Sequence, residues 1–470
     1  MSILQIVVLA IAAILVNLLK RGRSYVLLAV SALAMYWLQP RQEPVNLVFW
    51  FPTLTILLTV ASWLVTSAPE IRFRRENWGA AAVLFGVVLL VDLNRYFRIE
   101  QFFPIETPRI QLVLAVILVF AAAVFTLARL RRDFPFLLVA AVCVLIVMLI
   151  LMKMPSAVER LIEIAADIRG KEAGEVIGLA WLGFSYVAFR LLHTLMDRRA
   201  GRLPSVRLDE YVNYVIFFPS FTAGPIDRIE RFIRDLNEPL AMRVEGWMEA
   251  GRRLFCGLFK KFVVADGLAW FAMNELFVPA VQSAGWMWVL LYAYSLRIYF
   301  DFSGYTDIAI GLGRLAGVRL PENFDAPYLK PNPTQFWNAW HMTLAQWFRS
   351  YFFNPLTRAL RSSQRSLPQP LLILFAQSAT MILIGLWHGI TPGFFLWGLW
   401  HGAGLFIHNR WSEWRRTRPS GWGATPHGAA FLKYSGIVLN FHFVTLGWCF
   451  FLLPDPRMAW NVLLRLFGVL

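Results

Sequence analysis

The sequence predicts an all-α, polytopic membrane protein, and three observations carry that prediction. Of 470 residues, 58% are hydrophobic and 16% charged, with a mean hydropathy of +0.55; a soluble domain carries about 25% charged residues. Apolar runs close to the ~20 residues needed to cross a bilayer recur along the first half. The loops between them alternate between basic and mixed charge, the pattern that fixes orientation. A net charge of +16 would suggest nucleic acid in a soluble protein. Here basic loops facing an anionic lipid surface account for it, and no nucleic-acid partner is expected.

In chain order, the apolar runs cover residues 2–19, 24–39, 46–67, 79–93, 110–128, 134–152 and 176–195. No positive charge precedes the first, and Lys20, Arg21 and Arg23 follow it, so it reads as a retained span rather than a cleaved leader. The loops at Lys20–Arg23, Arg72–Arg75, Arg129–Arg132 and Asp197–Arg202 are basic, and those between are mixed. The N-terminus is therefore expected outside, with the basic loops cytoplasmic. Residues 156–174 place apolar groups at helical spacing among charges, which predicts an amphipathic helix on the outer surface.

The second half is less regular. Tyr211–Phe221 is apolar but short and runs into Phe218-Pro219-Ser220-Phe221-Thr222-Ala223-Gly224-Pro225, so it should turn back. Residues 226–261 are basic, and 262–280 and 286–303 can cross out and back. From Asp301 to Tyr351 the chain is polar and broken by Pro321, Pro327, Pro331 and Pro333, which predicts re-entrant or interfacial structure packed inside protein. Spans at 371–388, 394–409 and 433–453 follow, with a basic loop from Arg410 to Arg418 and a partial span at 457–470. The expected whole is one integral-membrane domain, 1–470, of about 11–13 spans.

The three cysteines are isolated in apolar surroundings, so neither a disulfide framework nor a metal site is expected. Gly311-Leu-Gly313 lacks the third glycine of a dinucleotide fingerprint. Of the seven histidines, His193, His408 and His427 read as surface or interfacial, and His442 as a satisfied core residue. His401 lies in Trp397-Gly-Leu-Trp400-His401-Gly402, a setting for close helix packing and a buried hydrogen bond. Two stand apart. His388 lies in Gly385-Leu-Trp387-His388-Gly389-Ile-Thr-Pro392, where an apolar helix should break; an ionisable group beside such a break in a membrane is a functional-site candidate. His341 lies in Phe336-Trp337-Asn338-Ala-Trp340-His341, a few polar groups ringed by indoles. A neutral imidazole is what a general base requires. Asp301-Phe302-Ser303-Gly304-Tyr305-Thr306-Asp307 is a second polar cluster, whose carboxylates should pair with Arg297, Arg314 or Arg319 because carboxylates in lipid must be paired.

Together these stretches resemble the membrane-bound O-acyltransferase family. The resemblance runs from about Tyr186 to Phe451. It rests on Phe218-Pro219 through Ile226, Tyr299 through Asp307, Pro321-Glu-Asn323-Phe324-Asp325-Ala-Pro327-Tyr328, Phe336-Trp337 with Trp340-His341, and Gly385 through Gly389. It points to the bacterial branch, with the membrane proteins of alginate O-acetylation and of teichoic acid D-alanylation. The resemblance implies a helical fold around a central tunnel, with 1–175 as N-terminal spans and 176–453 as the catalytic core. It implies that His388 is the catalytic base and His341 a second active-site residue. Trp337, Trp340, Asn338, Asp301, Ser303, Tyr305, Asp307, Trp387 and His401 would line or support the tunnel, and His341 or the indole of Trp337 or Trp340 would stabilise the oxyanion. No tightly bound cofactor is implied. The donor would be an acyl thioester, acyl-coenzyme A or acyl-phosphopantetheine on a carrier, reaching the site from the cytoplasm. The acceptor would be a hydroxyl on the way to an exported cell-surface polysaccharide, through a separate extracytoplasmic acyltransferase partner, at a bacterial inner membrane. D-alanyl transfer to teichoic acid and a non-enzymatic transporter are the alternatives. The chain departs from the family at Asn338-Ala339, where basic residues are common, and at Arg349-Ser350-Tyr351, where Arg-Asp-Tyr is common.

Overall fold

The computed structural model describes residues 1–40, 47–97, 107–130, 135–154, 156–157, 159–160, 163, 180–240, 243–362, 368–417, 425–453 and 455–469. Among them every regular element is helical. Five helices are long and apolar enough to cross a membrane: Leu47–Thr66, Arg75–Phe97, Ile110–Arg129, Gln369–His388 and Pro426–Leu452. Ile3–Leu18, Arg23–Leu38 and Pro135–Leu151 are apolar but shorter. Six of the seven spans expected in the first half are thus apolar helices, whereas the seventh, 176–195, lies partly outside the described residues and its described part belongs to the helix Phe184–Arg199, which is not among the apolar ones. The total of about 11–13 is not reached among the described residues: three of the first-half helices are short, and in the second half Ala284–Leu315 and Pro392–Arg416 have the length but not the composition. The amphipathic helix expected at 156–174 falls largely outside the described residues.

The chain divides into two compact units, Met1–Leu254 with Ile308–Pro321 and Phe255–Asp307 with Glu322–Leu470. In the first, the opening helix starts with a capping box: Ser2 Oγ accepts from the Gln5 amide at 3.2 Å and Gln5 Oε1 from the Ser2 amide at 2.8 Å. Leu208–Ile216 is buried at every position and, as expected, turns back at once. Arg190 fixes that turn by donating to the carbonyls of Val215 (2.8 Å) and Ser220 (3.0 Å) and to Ser220 Oγ (2.7 Å). His193, expected at a surface, is buried and lies 3.2 Å from Asp197. Four-residue spacing puts both on the packed face of Phe184–Arg199.

In the second unit one sequence device starts four helices. Asn332-Pro333, Thr391-Pro392, Thr425-Pro426 and Asp455-Pro456 each place a capping side chain before a proline at the first helical position. The proline lacks an N–H that would go unpaired there anyway, and the cap satisfies one that remains. The helix break expected after His388 is therefore real: Gln369–His388 ends, Thr391 Oγ1 accepts from the Phe394 amide at 3.4 Å, and Pro392–Arg416 returns. Small residues let the two helices of this hairpin touch. A Cβ at Gly398 would lie 2.6 Å from Ile382 Cα, and one at Gly402 2.8 Å from Ser378 Cα.

Three local expectations are corrected. Residues 262–280 do not form a span. Val244–Leu258, a π-helical stretch Phe259–Ala265 and Asp266–Ala269 run on as one rod, and only Phe277–Ala280 is helical beyond it. Residues 301–315 are not broken but complete the helix Ala284–Leu315, because their carboxylates find partners on a neighbouring helix. The basic stretch after Asn409 is not a loop; the helix continues through Arg416, where cations favour the carbonyl end of the helix dipole.

Candidate active site

His341 is held from two directions. Its backbone is left-handed (φ 43°, ψ 52°), immediately before the helix Met342–Phe348, a conformation that costs a β-carbon residue roughly 1–2 kcal/mol and persists only where the surroundings impose it. Asn323 imposes it. The Asn323 carbonyl accepts from the Met342 amide at 2.9 Å, and its side-chain Oδ1 accepts from the Thr343 amide (3.2 Å) and hydroxyl (2.9 Å). The third group on that oxygen is His341 Nδ1, at 3.2 Å. An amide oxygen can only accept, so Nδ1 carries the proton toward Asn323 and, in the neutral ring, Nε2 is the nitrogen without one. Phe302 stands edge-on to the imidazole at 4.7 Å.

His388 ends its helix in an aromatic basin. Its ring lies 4.5 Å from Trp387, 4.8 Å from Phe451, 5.7 Å from Trp397 and 5.9 Å from Phe394, and it is only half-buried. The indole of Trp387 also lies 6.3 Å from His341. Tertiary folding thus gives the two histidines, far apart in sequence, a shared neighbour.

The other predicted residues separate into groups. Trp337 and His401 are in edge contact at 5.2 Å, and Trp397 reaches His401 at 4.8 Å. His401 is fully buried, and neither of its ring nitrogens has a hydrogen-bond partner among the described residues, nor does the Trp337 or Trp397 N–H. The buried hydrogen bond expected for His401 is therefore not made by those residues; it sits in an aromatic cage instead. Trp340 is a packing residue, stacked on Phe336, edge-on to Phe324 and tilted against Tyr328 and Trp448. Asn338 is exposed and accepts from Arg349 at 2.7 Å.

The polar cluster on Ala284–Leu315 is paired, but not with the expected arginines. Asp301 meets Lys261 at 2.5 Å and Asp307 meets Lys260 at 2.6 Å, while Arg319 binds Asp235. The lysines sit on the π-helical stretch. A Cβ at Gly304 would lie 2.8 Å from the Gly257 carbonyl, so this glycine allows the approach that makes the pairs. Ser303 is buried and Tyr305 half-buried on the same helix.

Sequence reasoning missed Asn323 as the partner of His341, Lys260 and Lys261 as counter-charges, and Trp397 and Phe451 as walls of the His388 basin. Only Asn323 had a signal, since it stands in the Pro321–Tyr328 motif.

Residues 127–452 match the family model described as MBOAT, membrane-bound O-acyltransferase family. The chain is 31% identical over 281 residues to the teichoic acid D-alanyltransferase of Bacillus subtilis, a match covering 58% of this chain and 69% of that protein. It is 33% identical over 288 residues to the Pseudomonas aeruginosa protein named "Probable alginate O-acetylase AlgI", covering 61% and 51%. It is 33% identical over 269 residues to the peptidoglycan O-acetyltransferase of Helicobacter pylori, covering 55% and 47%. The chain thus spans about half the length of the acetylating relatives. An all-helical chain with several helices fit to cross a membrane, matched by the family model over more than half its length, belongs to the membrane-bound O-acyltransferase family.

Proposed function

We propose that this protein transfers an acyl group, acetyl in the first instance, from a cytoplasmic thioester to a hydroxyl, for modification of an exported cell-surface polysaccharide. The observation that carries the reading is the meeting of His341 and His388 on Trp387 in a chain of this family. His388 takes the proton of the acceptor hydroxyl. The oxygen attacks the thioester carbonyl carbon, the C–S bond breaks, and the thiolate leaves with the proton that His388 gives back. General base catalysis supplies about 10²–10⁴-fold and an oxyanion donor about 10²–10³-fold. With Nδ1–H committed to Asn323, the neutral His341 ring has no second N–H to give an oxyanion. It therefore orients the hydroxyl rather than stabilising the oxyanion. That second role suits an indole N–H, and Trp387, beside both histidines, is the indole placed for it. Aromatic walls keep water from hydrolysing the thioester.

The alternation of basic loops supports an inner-membrane setting with the N-terminus outside and a donor arriving from the cytoplasm. A separate extracytoplasmic acyltransferase would carry the group to the polymer. The second reading, D-alanyl transfer to teichoic acid, is favoured by the B. subtilis relative. The test measures ester-linked acyl groups on the surface polymers of cells expressing wild type, His388→Ala or His341→Ala at equal folded level, identified by mass. Loss of the ester in His388→Ala and strong reduction in His341→Ala are expected, and the mass separates acetyl from D-alanyl. A folded His388→Ala protein that makes as much ester as wild type would sink the proposal.

A further inference from the structure

A groove of about 870 Å³ runs between the helices Pro392–Arg416 and Pro426–Leu452 and is closed on its third side by residues 331–333. Sites that hold small-molecule ligands occupy roughly 300–1,000 Å³. The protein itself ties the walls together. Asn440 Nδ2 donates to the Lys330 carbonyl at 2.9 Å, and His408 Nδ1 lies 3.0 Å from Thr334 Oγ1. A Cβ at Gly436 would lie 2.6 Å from the Pro331 carbonyl oxygen, so glycine there lets the segment seat against the helix.

The lining follows the layers of a bilayer. Ile407, Trp411 and Arg415 recur every four residues on one face of Pro392–Arg416, about 12 Å from first to last. Their order is aliphatic, aromatic, cationic. Trp411 stacks on the equally exposed Trp414 at 5.0 Å, as aromatic residues gather at a membrane–water boundary. The facing helix repeats the order, with Lys433 followed by Leu439 about 9 Å further along. The headgroup layer on each side of a bilayer is about 5–7 Å thick, so a groove of this depth reaches from phosphates into hydrocarbon. Ile407 and Leu439 are 66% and 71% exposed, which opens the groove sideways to acyl chains. Arg415, Arg416 and Lys433 are exposed and make no ion pair among the described residues, while Glu413 is taken by Arg410 at 2.7 Å. No carboxylate is among the described residues that line the groove.

We infer that this groove binds an anionic phospholipid, with its phosphate among Arg415, Arg416 and Lys433 and an acyl chain along Ile407, Leu439 and Phe443. Basic pockets between helices at a membrane face select anionic headgroups. A soluble anion would gain nothing from the aliphatic half, and a zwitterionic lipid would bring its ammonium group to three cations. Neither His341 nor His388 lines the groove, so such binding stands whether or not the chain transfers acyl groups.

Purified full-length protein in detergent is titrated with phosphatidylglycerol, phosphatidylcholine, coenzyme A or inorganic phosphate. Bound lipid is counted by native mass spectrometry, and the melting temperature is followed alongside. Wild type is compared with Arg415→Gln/Arg416→Gln/Lys433→Gln, with Ser435→Trp, which fills the groove, and with Lys20→Gln/Arg21→Gln/Arg74→Gln, a control that loses the same charge elsewhere. Wild type and control should retain phosphatidylglycerol and melt higher with it, and should hold phosphatidylcholine at least about 10-fold more weakly. The groove triple variant should bind phosphatidylglycerol about 10–100-fold more weakly than wild type, and Ser435→Trp should lose it. The three cations are exposed, so the triple variant decides the matter even where Ser435→Trp does not fold. Equal retention of the two lipids, equal weakening in the control and the groove variant, or no weakening in the groove variant overturns the inference. So does displacement of phosphatidylglycerol by coenzyme A or inorganic phosphate, which would make the groove a site for a soluble phosphate.

Discussion

His341 and His388 occupy opposite kinds of place. His341 is buried, set in a strained left-handed backbone and tied at Nδ1 to an asparagine that also ties the next two residues. His388 is half-buried at the C-terminal end of a helix, flanked on several sides by aromatic rings. A group that must exchange a proton with an arriving hydroxyl and a departing thiolate benefits from access, and the site at His388 has it. A group that must set the hydroxyl's direction benefits from a fixed ring and a fixed tautomer, and His341 has both. Under the proposed acyl transfer, that contrast would give the chemistry to His388 and the orientation to His341.

The largest effect should come from exchanging the two roles experimentally. His388→Ala should lower kcat by about 10²–10⁴-fold with the protein still folded; if His341→Asn costs more than His388→Ala, the assignment is reversed. Next, Asn323→Leu should lower kcat about 10–100-fold by releasing the ring, and Asn323→Asp, which keeps an acceptor oxygen, should restore part of the rate. Equal rates in the two variants would break the link between Asn323 and His341. A smaller effect separates backbone from side chain at position 341. Asparagine tolerates the left-handed region better than alanine, so His341→Asn should melt at a higher temperature than His341→Ala, by the equivalent of about 1 kcal/mol, while both lose activity alike. Least of all, a double-mutant cycle of Lys260→Met and Asp307→Leu should give a coupling of about 1 kcal/mol in thermal unfolding, because Lys260 remains partly exposed. A coupling of zero would mean the pair does not hold the cluster together.

What the sequence made legible was punctuation. Thr391-Pro392-Gly393 announced the break after His388, and Phe218-Pro219 through Gly224-Pro225 announced a turn, because proline and glycine act through local sterics alone. The apolar runs from 2–19 to 134–152 emerged as helices because an apolar segment in a membrane must satisfy its backbone hydrogen bonds within itself. Charge was misread wherever its partner was remote. Asp301, Asp307 and Arg314 made 301–315 look too polar for a plain span, yet the helix continues because Lys260 and Lys261, some forty residues away in sequence, neutralise the carboxylates. His193 looked like a surface residue because Asp197 and Arg198 follow it, but a buried helix face that carries polar groups cannot be told from an exposed one by composition. At the candidate site, both histidines were identifiable from their indole-rich, broken settings. The tautomer of His341 was not, since it depends on an oxygen eighteen residues away.

The π-helical stretch Phe259–Ala265 has a consequence for how this chain tolerates change in length. A π turn holds one more residue than an α turn, so the segment behaves as an α-helix with an insertion absorbed in place. Deleting Val263 or Val264 would therefore let the rod close into regular α-helix and leave the residues beyond close to their places, whereas the same deletion in a regular α-helix would turn everything beyond it by about 100°. Lys260 and Lys261, which precede both positions, would keep facing Asp307 and Asp301. The stretch thus marks a place where the rod can take up a change of length within one turn rather than pass it on to the packing beyond.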